Sequence, residues 1–151
     1  MFDKALIGHD FGCRSITVEL CSLQDYAKAI GESNPIYRDP HEARKAGLPA
    51  VRVPPAFFFC LESRLGLGAA VRQIVQFDVR RILHAEQTFV YHAPAYVGDT
   101  LTYETKLADI YDKKNGALEF VVSESRITNQ DGVHVADTRK CLVQRQLHIS
   151  A

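Results

Sequence analysis

The chain has 151 residues, of which 46% are hydrophobic and 24% are charged, a balance typical of a globular protein and not of a disordered one. Eighteen Lys and Arg residues offset 18 Asp and Glu residues, so the formal net charge is zero. No field of one sign is available to attract nucleic acid or an anionic membrane, and we expect neither as a partner. The length predicts a single domain over residues 1–151 with one hydrophobic core.

The N-terminus and the cysteines bear on the compartment in which the chain works. The first ten residues, MFDKALIGHD, lack the apolar run of a signal peptide, and no stretch approaches the length of a membrane span. Cys13, Cys21, Cys60 and Cys141 are scattered without a CxxC pair, which favours reduced and mostly buried thiols. We therefore expect a cytoplasmic protein.

A strand and a helix are predicted near the N-terminus. The segment 16–20, ITVEL, has the composition of a short strand. Ser22 can cap a following helix, because Asp25 stands three residues later in an approximate capping box. Gly31 is expected to end this helix.

Two further helices are expected before residue 69. Segment 39–47, DPHEARKAG, has Asp39 as its cap, a proline at its first helical position and Gly47 as its stop. Segment 53–68, VPPAFFFCLESRLGLG, has two prolines close to its beginning, which suit a helix start, and its residues 56–61 are apolar on every side. Because a helix that is apolar all round has no face suited to water, we expect this one to be buried.

The second half of the chain is predicted to be β structure. Strand-like segments lie at 83–92, 100–114, 118–128 and 133–146. An Asn-Gly turn at 115–116 joins the second to the third, and an Asp-Gly turn at 131–132 joins the third to the fourth. Within segment 100–114, one set of alternate residues forms each face of the strand, Leu101, Tyr103, Thr105 and Leu107 on one side and Thr102, Glu104 and Lys106 on the other. Long consecutive strands of this kind predict an antiparallel meander.

An apolar helix combined with long antiparallel strands predicts a specific α+β architecture. The sheet must bury one face and the helix must bury all of its surface. A long antiparallel sheet wrapped around a central buried helix satisfies both requirements, and this is the hot-dog fold. A single unit leaves a sheet edge and apolar surface uncovered, so we expect it to pair into a dimer.

One stretch carries a resemblance to a known family. Residues 26–47, YAKAIGESNPIYRDPHEARKAG, resemble the MaoC-like (R)-specific enoyl-thioester hydratases and 3-hydroxyacyl-thioester dehydratases. The family signature, Gly-Asp-x-Asn-Pro-aliphatic-His followed by Asp-Pro, is matched at Gly31, Asn34, Pro35, Ile36, Asp39 and Pro40. The HxPxxxGDTL stretch at 92–101 also resembles this family, especially its N-terminal dehydratase-type branch. The resemblance covers roughly the whole chain and implies an acyl-CoA or acyl-carrier-protein thioester as substrate, with no cofactor and no metal.

The two catalytic positions of the family signature have changed in this chain. The resemblance implies an Asp and a His that act together on water or on the 3-hydroxyl group and the α-proton, but Glu32 and Tyr37 occupy their positions. Glutamate can still act as a base, although its extra methylene displaces the carboxylate. Tyrosine, with a reference pKa of about 10, is a poor base at neutral pH. Tyr37 either fills the space of an imidazole or donates a hydrogen bond to a substrate oxygen, and Asn34 is expected to brace the turn.

The start of the apolar helix is the second candidate feature. In the family, a backbone N–H at this point polarises the thioester carbonyl, which suits a helix N-terminus because its first N–H groups lack partners. Pro54 and Pro55 have no N–H, so Ala56 or Phe57 would have to supply it. The alternative is that the prolines simply suit a helix start. Phe58, like its aromatic neighbours, is either core or a lining of the acyl-chain site.

Two other groups of side chains are weaker candidates. One predicted strand carries three evenly spaced residues that could suggest a metal site, His84, Glu86 and His92. The better explanation is that they are exposed polar residues on the outer face of a sheet. Three arginines could bind the phosphates of coenzyme A or of a carrier protein, Arg72, Arg80 and Arg81. The alternative is that they are simply solvated, as surface arginines commonly are.

Three functions remain open on this sequence. The first is a hydratase or dehydratase subunit with a degenerate dyad, completed by a partner hot-dog chain that carries the intact Asp and His. The second is a self-sufficient homodimeric hydratase or thioesterase in which Glu32 is the acid–base group. The third is a non-catalytic binder of acyl thioesters. The fold alone does not decide among them, because function depends on the site.

Overall fold

The computed structural model describes residues 1–146, so the last five residues of the expected 1–151 domain lie outside it. The described helices are Leu20–Ala29 (α1), Pro40–Lys45 (α2), Phe57–Arg64 (α3) and Leu67–Val75 (α4). The strands are Asp10–Thr17 (β1), Ile82–Tyr91 (β2), Thr100–Lys113 (β3), Leu118–Thr128 (β4) and His134–Arg145 (β5). Short 3-10 helices occupy Lys4–Leu6, Pro35–Tyr37 and Val79–Arg81. No helix within residues 1–146 is both long and apolar enough to cross a membrane.

The five strands form one antiparallel sheet in the order β1-β3-β4-β5-β2. The predicted meander is confirmed for β3, β4 and β5, which are consecutive and joined by tight turns. It is wrong for β2, which lies beside β5 at the far edge of the sheet. The connection from β2 to β3 runs past the segment before α3, where Tyr96 forms an isolated bridge with Arg52.

The strand bounds and the face assignment of β3 follow the sequence closely. Leu101, Tyr103 and Leu107 are fully buried, whereas Glu104 and Lys106 between them are exposed. At the Asn115-Gly116 turn both residues have positive φ, 52° and 83°, a conformation that asparagine and glycine tolerate better than other residues. The buried face of the sheet packs against α3, and the Tyr103 hydroxyl donates a 3.0 Å hydrogen bond to the Phe58 carbonyl oxygen. The predicted hot-dog arrangement is therefore confirmed.

The N-terminal elements differ from the prediction. The first strand is β1, which ends at Thr17, and α1 already begins at Leu20 after Glu19, which makes no side-chain cap. Ser22 therefore lies inside the helix and is not its cap. Its buried hydroxyl accepts a 2.7 Å hydrogen bond from Arg64 of α3, a tertiary contact that local spacing does not indicate. Gly31 does follow the end of α1, with φ +70°.

Helix α2 has the predicted ends. The Asp39 carboxylate accepts hydrogen bonds from the backbone N–H groups of His41, at 2.7 Å, and Glu42, at 3.1 Å. Pro40 is its first residue, and Gly47 follows its end with φ +80°. This helix directly follows the loop that carries the family signature, so its rigid start fixes one end of that loop.

The predicted helix at 53–68 is divided and is not buried all round. Gly66, with φ +69°, separates α3 from α4, because the left-handed conformation breaks the helical path. On α3, Phe57 and Phe58 are buried, but Phe59 and Cys60 are only half-buried. Ser63 and Arg64 of the same helix are exposed, so the sheet covers only one side of α3.

Candidate functional site

The signature loop is a hydrogen-bonded turn between α1 and α2. The Glu32 carboxylate accepts a 2.8 Å hydrogen bond from the Asn34 N–H through its Oε1 atom. The Asn34 side-chain oxygen in turn accepts a 3.2 Å hydrogen bond from the Ile36 N–H and caps the 3-10 turn that ends at Tyr37. Asn34 thus stands where a brace of this turn is expected, and Glu32 contributes to the same brace.

The two changed positions are close in the chain but do not form a dyad. Glu32 and Tyr37 are both half-buried. Within residues 1–146, no hydrogen bond joins the Glu32 carboxylate to the Tyr37 hydroxyl. The Oε1 atom of Glu32 is occupied by the turn, which leaves Oε2 as the atom that could accept a proton. The loop therefore offers one carboxylate and one phenol, and no imidazole.

The signature loop touches the segment that leads into α3. The Arg52 N–H donates a 3.1 Å hydrogen bond to the Ile36 carbonyl oxygen, and the Val53 N–H donates a 2.9 Å hydrogen bond to Ala95. These bonds hold the loop, the start of α3 and the segment after β2 against one another. The two sequence-predicted parts of the site are thus joined through Arg52.

The N-terminus of α3 offers a different set of N–H groups from the one we expected. The Phe57 N–H donates a 3.0 Å hydrogen bond to the Pro54 carbonyl oxygen, closing a turn with Pro55 at its second position, so this N–H is already bonded. The N–H groups of Ala56 and Phe58 have no acceptor among residues 1–146. Ala56, which is also exposed, is therefore the predicted donor that can reach a carbonyl oxygen. The free Phe58 N–H is additional, and only the turn geometry indicates it.

A cavity of about 260 Å³ opens beside the start of α3. Phe58 and Pro55 form the α3 side of its wall, while Tyr91 and His92 at the end of β2 form the other side, with Arg52 beside them. The Tyr91 hydroxyl donates a 2.8 Å hydrogen bond to the Pro55 carbonyl oxygen, which ties β2 to the turn before α3. A mostly apolar cavity with a few polar groups is the kind of site that binds small ligands.

Two tyrosines of this region were missed by sequence reasoning. Tyr26 packs on Phe57 with 5.0 Å between ring centroids, and Tyr91 packs on Phe58 at 5.9 Å. Burial raises the pKa of both hydroxyls and of the nearby Cys60 thiol. All three groups are therefore protonated at neutral pH, and the hydroxyls can donate hydrogen bonds. No sequence pattern singles them out, since aromatic residues at such spacings are common in any core.

His84 and Glu86 of β2 and His92, which follows this strand, do not form a cluster. A register shift lies between His84 and Glu86, so their even spacing does not place them on one face. His84 packs on the ring of Phe59, with 5.7 Å between centroids, and Glu86 lies 3.7 Å from an arginine of β5. His92 instead approaches two residues of β5, His134 and Asp137.

The three arginines proposed as phosphate ligands are also separate. Arg80 and Arg81 both bind the Asp78 carboxylate, at 3.1 and 2.8 Å, and their hydrogen bonds hold the pKa of that carboxyl well below its usual range. Both side chains are therefore engaged with the same carboxylate. Arg72 is half-buried on α4.

A family model and a curated relative each match most of the chain. Residues 5–138 match the FAS1-like dehydratase domain region. A UPF0336 protein of Thermobifida fusca is 36% identical over 124 residues, which cover 82% of this chain and 80% of that protein.

Solved structures show the same fold. The C-terminally truncated HadBC (3R-hydroxyacyl-ACP dehydratase) complex of Mycobacterium tuberculosis superposes with a TM-score of 0.72 at 23% identity, over 91% of this chain and 96% of that chain. A MaoC-like dehydratase superposes with a TM-score of 0.78 at 22% identity, over 94% of this chain and 43% of that longer chain. The resemblance to MaoC-like dehydratases is confirmed by these matches, and the chain belongs to the family of FAS1-like dehydratase domains.

Proposed function

We propose that this chain is a subunit of an acyl-thioester hydratase or dehydratase that is completed by a second hot-dog chain carrying an intact Asp and His. The observation that carries the proposal is the signature loop, which keeps its braced turn but has Glu32 and Tyr37 at the two catalytic positions. The substrate class is an enoyl or 3-hydroxyacyl thioester of coenzyme A or of an acyl-carrier protein. No cofactor takes part.

The chemistry explains why one carboxylate is not enough. Hydration of an enoyl thioester adds a hydroxyl group at the β-carbon and a proton at the α-carbon, so one group must accept a proton from water while a positioned group delivers one. Glu32 can accept a proton through Oε2, but no hydrogen bond within residues 1–146 joins it to the Tyr37 hydroxyl, and a phenol is a poorer general base than an imidazole. The missing imidazole has to come from elsewhere.

The binding part of the site is retained on this chain. The free N–H of Ala56 at the start of α3 is suited to polarise the thioester carbonyl, because the positive end of the helix dipole favours the negative charge that develops on the carbonyl oxygen. The adjacent cavity, walled by Phe58 and Tyr91, is suited to the acyl part of the substrate. In this proposal the chain binds and orients the thioester and its partner supplies the acid–base groups.

The edge of the sheet supports association with a second chain. Strand β2 pairs only with β5 within residues 1–146, so one side of its backbone is unpaired. Leu83 and Val90 of this strand are 67% and 51% exposed, unusually high values for large apolar side chains of a sheet. The HadBC dehydratase, which shares the fold, is itself a complex. A homodimer through the same edge is the alternative assembly.

The test is reconstitution with a MaoC-like chain of the same organism that carries both Asp and His. We expect the mixture to hydrate a short enoyl-CoA faster than either chain alone. Replacing the Asp or His of the second chain should abolish the rate, whereas Glu32→Ala in this chain should leave most of it. A rate that depends on Glu32 and not on the second chain would instead support a self-sufficient enzyme.

A second experiment separates catalysis from binding. The double variant Glu32→Asp/Tyr37→His restores the family dyad within this chain, and we expect it to gain hydration activity without a partner. Release of free thiol, measured in parallel, distinguishes thioester hydrolysis from hydration. Tight acyl-CoA binding with no turnover in the wild type, in the mixture and in the double variant would instead favour a non-catalytic binder.

A further inference from the structure

His92, His134 and Asp137 form a cluster at the end of the sheet where β2 stops and β5 begins. His92 Nε2 lies 2.7 Å from Asp137 Oδ2, and His134 Nε2 lies 2.8 Å from Asp137 Oδ1. The two imidazole rings are tilted against each other with 4.1 Å between their centroids. One nitrogen from each ring and one carboxylate oxygen all lie within 4.8 Å of one another.

A bulge in the sheet brings the two β5 residues of the cluster to the same face. His134 and Asp137 are three positions apart, and in a regular strand such side chains point to opposite faces. The register between β4 and β5 shifts here, because Ile127 pairs with Ala136 while Thr128 pairs with His134 and not with Val135. The extra residue reverses the alternation, so both side chains reach the same side of the sheet.

Backbone hydrogen bonds place His92 against this pair. The N–H groups of His92 and Ala93 both donate to the Val135 carbonyl oxygen, at 2.9 and 3.1 Å. His92 is thereby fixed beside the residue that follows His134. His134 and Asp137 are thus held by β5 and its bulge, and backbone hydrogen bonds hold His92, which follows β2, against that strand.

The Asp137 carboxylate is directed at the two imidazoles and not at the arginine opposite it in the sheet. Arg126 is its cross-strand neighbour on β4, yet no ion pair joins the two side chains within residues 1–146. The side chain of His92 is 39% exposed, that of His134 is 30% exposed and that of Asp137 is 43% exposed, so an ion from solution can reach all three.

From these contacts we infer that His92, His134 and Asp137 form a binding site for a divalent transition-metal ion of the Zn²⁺ type. Two imidazole nitrogens and one carboxylate oxygen, with a fourth position open to water, are a ligand set that Zn²⁺ accepts. Bond lengths of about 2.0–2.2 Å require ligand atoms about 3–4 Å apart, so small side-chain rotations in the cluster would suffice. The bound ion would join the segment after β2 to β5, next to the cavity that His92 lines.

The first test is titration with Zn²⁺ alone. The chain is prepared without a histidine tag, is treated with a chelator, and carries Cys13→Ser and Cys21→Ser, because these two exposed thiols could bind Zn²⁺ themselves. Calorimetry should then show one equivalent of Zn²⁺ bound. His134→Ala removes a direct ligand, so we expect it to weaken binding by more than the roughly 10–100-fold loss that is typical when a hydrogen-bond partner of a metal ligand is replaced.

A matched control and a spectroscopic readout complete the design. His84→Ala removes another exposed histidine, on β2 but outside the cluster, and should bind Zn²⁺ like the parent chain. Co²⁺ should give the visible absorption of a low-coordinate nitrogen and oxygen site in the parent chain and lose it in His134→Ala. If His134→Ala does not fold, His134→Asn replaces it. Absence of binding, or equal binding by the parent and the His134 variant, would overturn the inference.

Discussion

Glu62 on α3 and Lys140 on β5 form an ion pair that is enclosed between helix and sheet. Their side chains are only 2% and 5% exposed. The Lys140 ammonium donates to Glu62 Oε1, whereas Glu62 Oε2 has no hydrogen-bond partner among the described residues. The central helix is therefore fixed to the sheet by a buried charged contact in addition to the Tyr103–Phe58 hydrogen bond.

This pair gives a stability prediction in which the single variant is less stable than the double variant. Lys140→Met leaves the Glu62 carboxylate buried without a partner and should lower the free energy of unfolding by about 3–5 kcal/mol. Glu62→Leu combined with Lys140→Met removes both charges and should recover most of that loss, or more, because Glu62 Oε2 is already unsatisfied. Urea denaturation measures both values. Equal destabilisation by the single and double variants would contradict this explanation.

Asp39 gives a prediction about acid stability. Hydrogen bonds from the backbone N–H groups of Glu42 and His41 lower the pKa of its carboxyl in the folded chain. The stability that this provides is fully present above the unfolded pKa of about 3.9 and is lost as the pH falls through the lower folded pKa. Asp39→Asn keeps a capping side chain, so it should be nearly as stable at pH 7 and should lose less stability on acidification.

Denaturation curves between neutral and acid pH check the prediction for Asp39. Asp25→Asn is the control, since Asp25 is an exposed acid on α1. Its acid profile should follow that of the wild type. Superimposable acid profiles for Asp39→Asn and the wild type would exclude the cap as a source of acid sensitivity.

Tyr91 gives a prediction about ligand binding. Tyr91→Phe keeps the ring that packs on Phe58 but removes the hydrogen bond to the Pro55 carbonyl oxygen. The turn that presents the Ala56 N–H should then be held less firmly. Affinity for a non-hydrolysable acyl-CoA analogue should fall by up to about fivefold, which corresponds to the net contribution of about 1 kcal/mol from one hydrogen bond. Tyr111→Phe, which removes a hydroxyl on β3 far from the cavity-lining residues, is the matched control. The same loss in both variants would point to a general effect of lost hydroxyls.

The exposed edge gives a prediction about assembly. Leu83→Lys on β2 places a charge at the surface that we propose to meet a second chain, and it should shift the assembly toward monomer in size-exclusion chromatography with light scattering. Val133→Lys changes a similarly exposed apolar residue before β5, away from this edge, and should leave the assembly unchanged. If both variants assemble like the wild type, β2 is not the contact.

The elements with local determinants were predictable from the sequence. Asp39 caps α2 through bonds to the residues two and three positions later, and Asn115-Gly116 is a residue pair that favours the positive φ values of this turn. The alternation along β3 was also visible, since burial on a sheet repeats every second residue. These features, with the apolar helix, were enough to predict the hot-dog fold.

The features set by distant contacts were not predictable. Serine is a residue type that commonly caps helices, yet the Ser22 hydroxyl accepts a hydrogen bond from Arg64 of another helix. The Phe57 N–H suits the thioester carbonyl by position, but the turn before α3 engages it with Pro54. The approach of His92 to Asp137 depends on a bulge between two strands, which no short motif encodes. The candidate site was thus located by its motif, while its hydrogen-bond pattern required the structure.

The most direct test of the central claim is hydration of a short enoyl-CoA by the purified chain alone, followed by loss of the absorbance of the conjugated enoyl group. Because the imidazole position is occupied by Tyr37, we predict no rate above the uncatalysed reaction. A clear rate that disappears in Glu32→Ala would contradict the account and would establish a working enzyme with a single carboxylate.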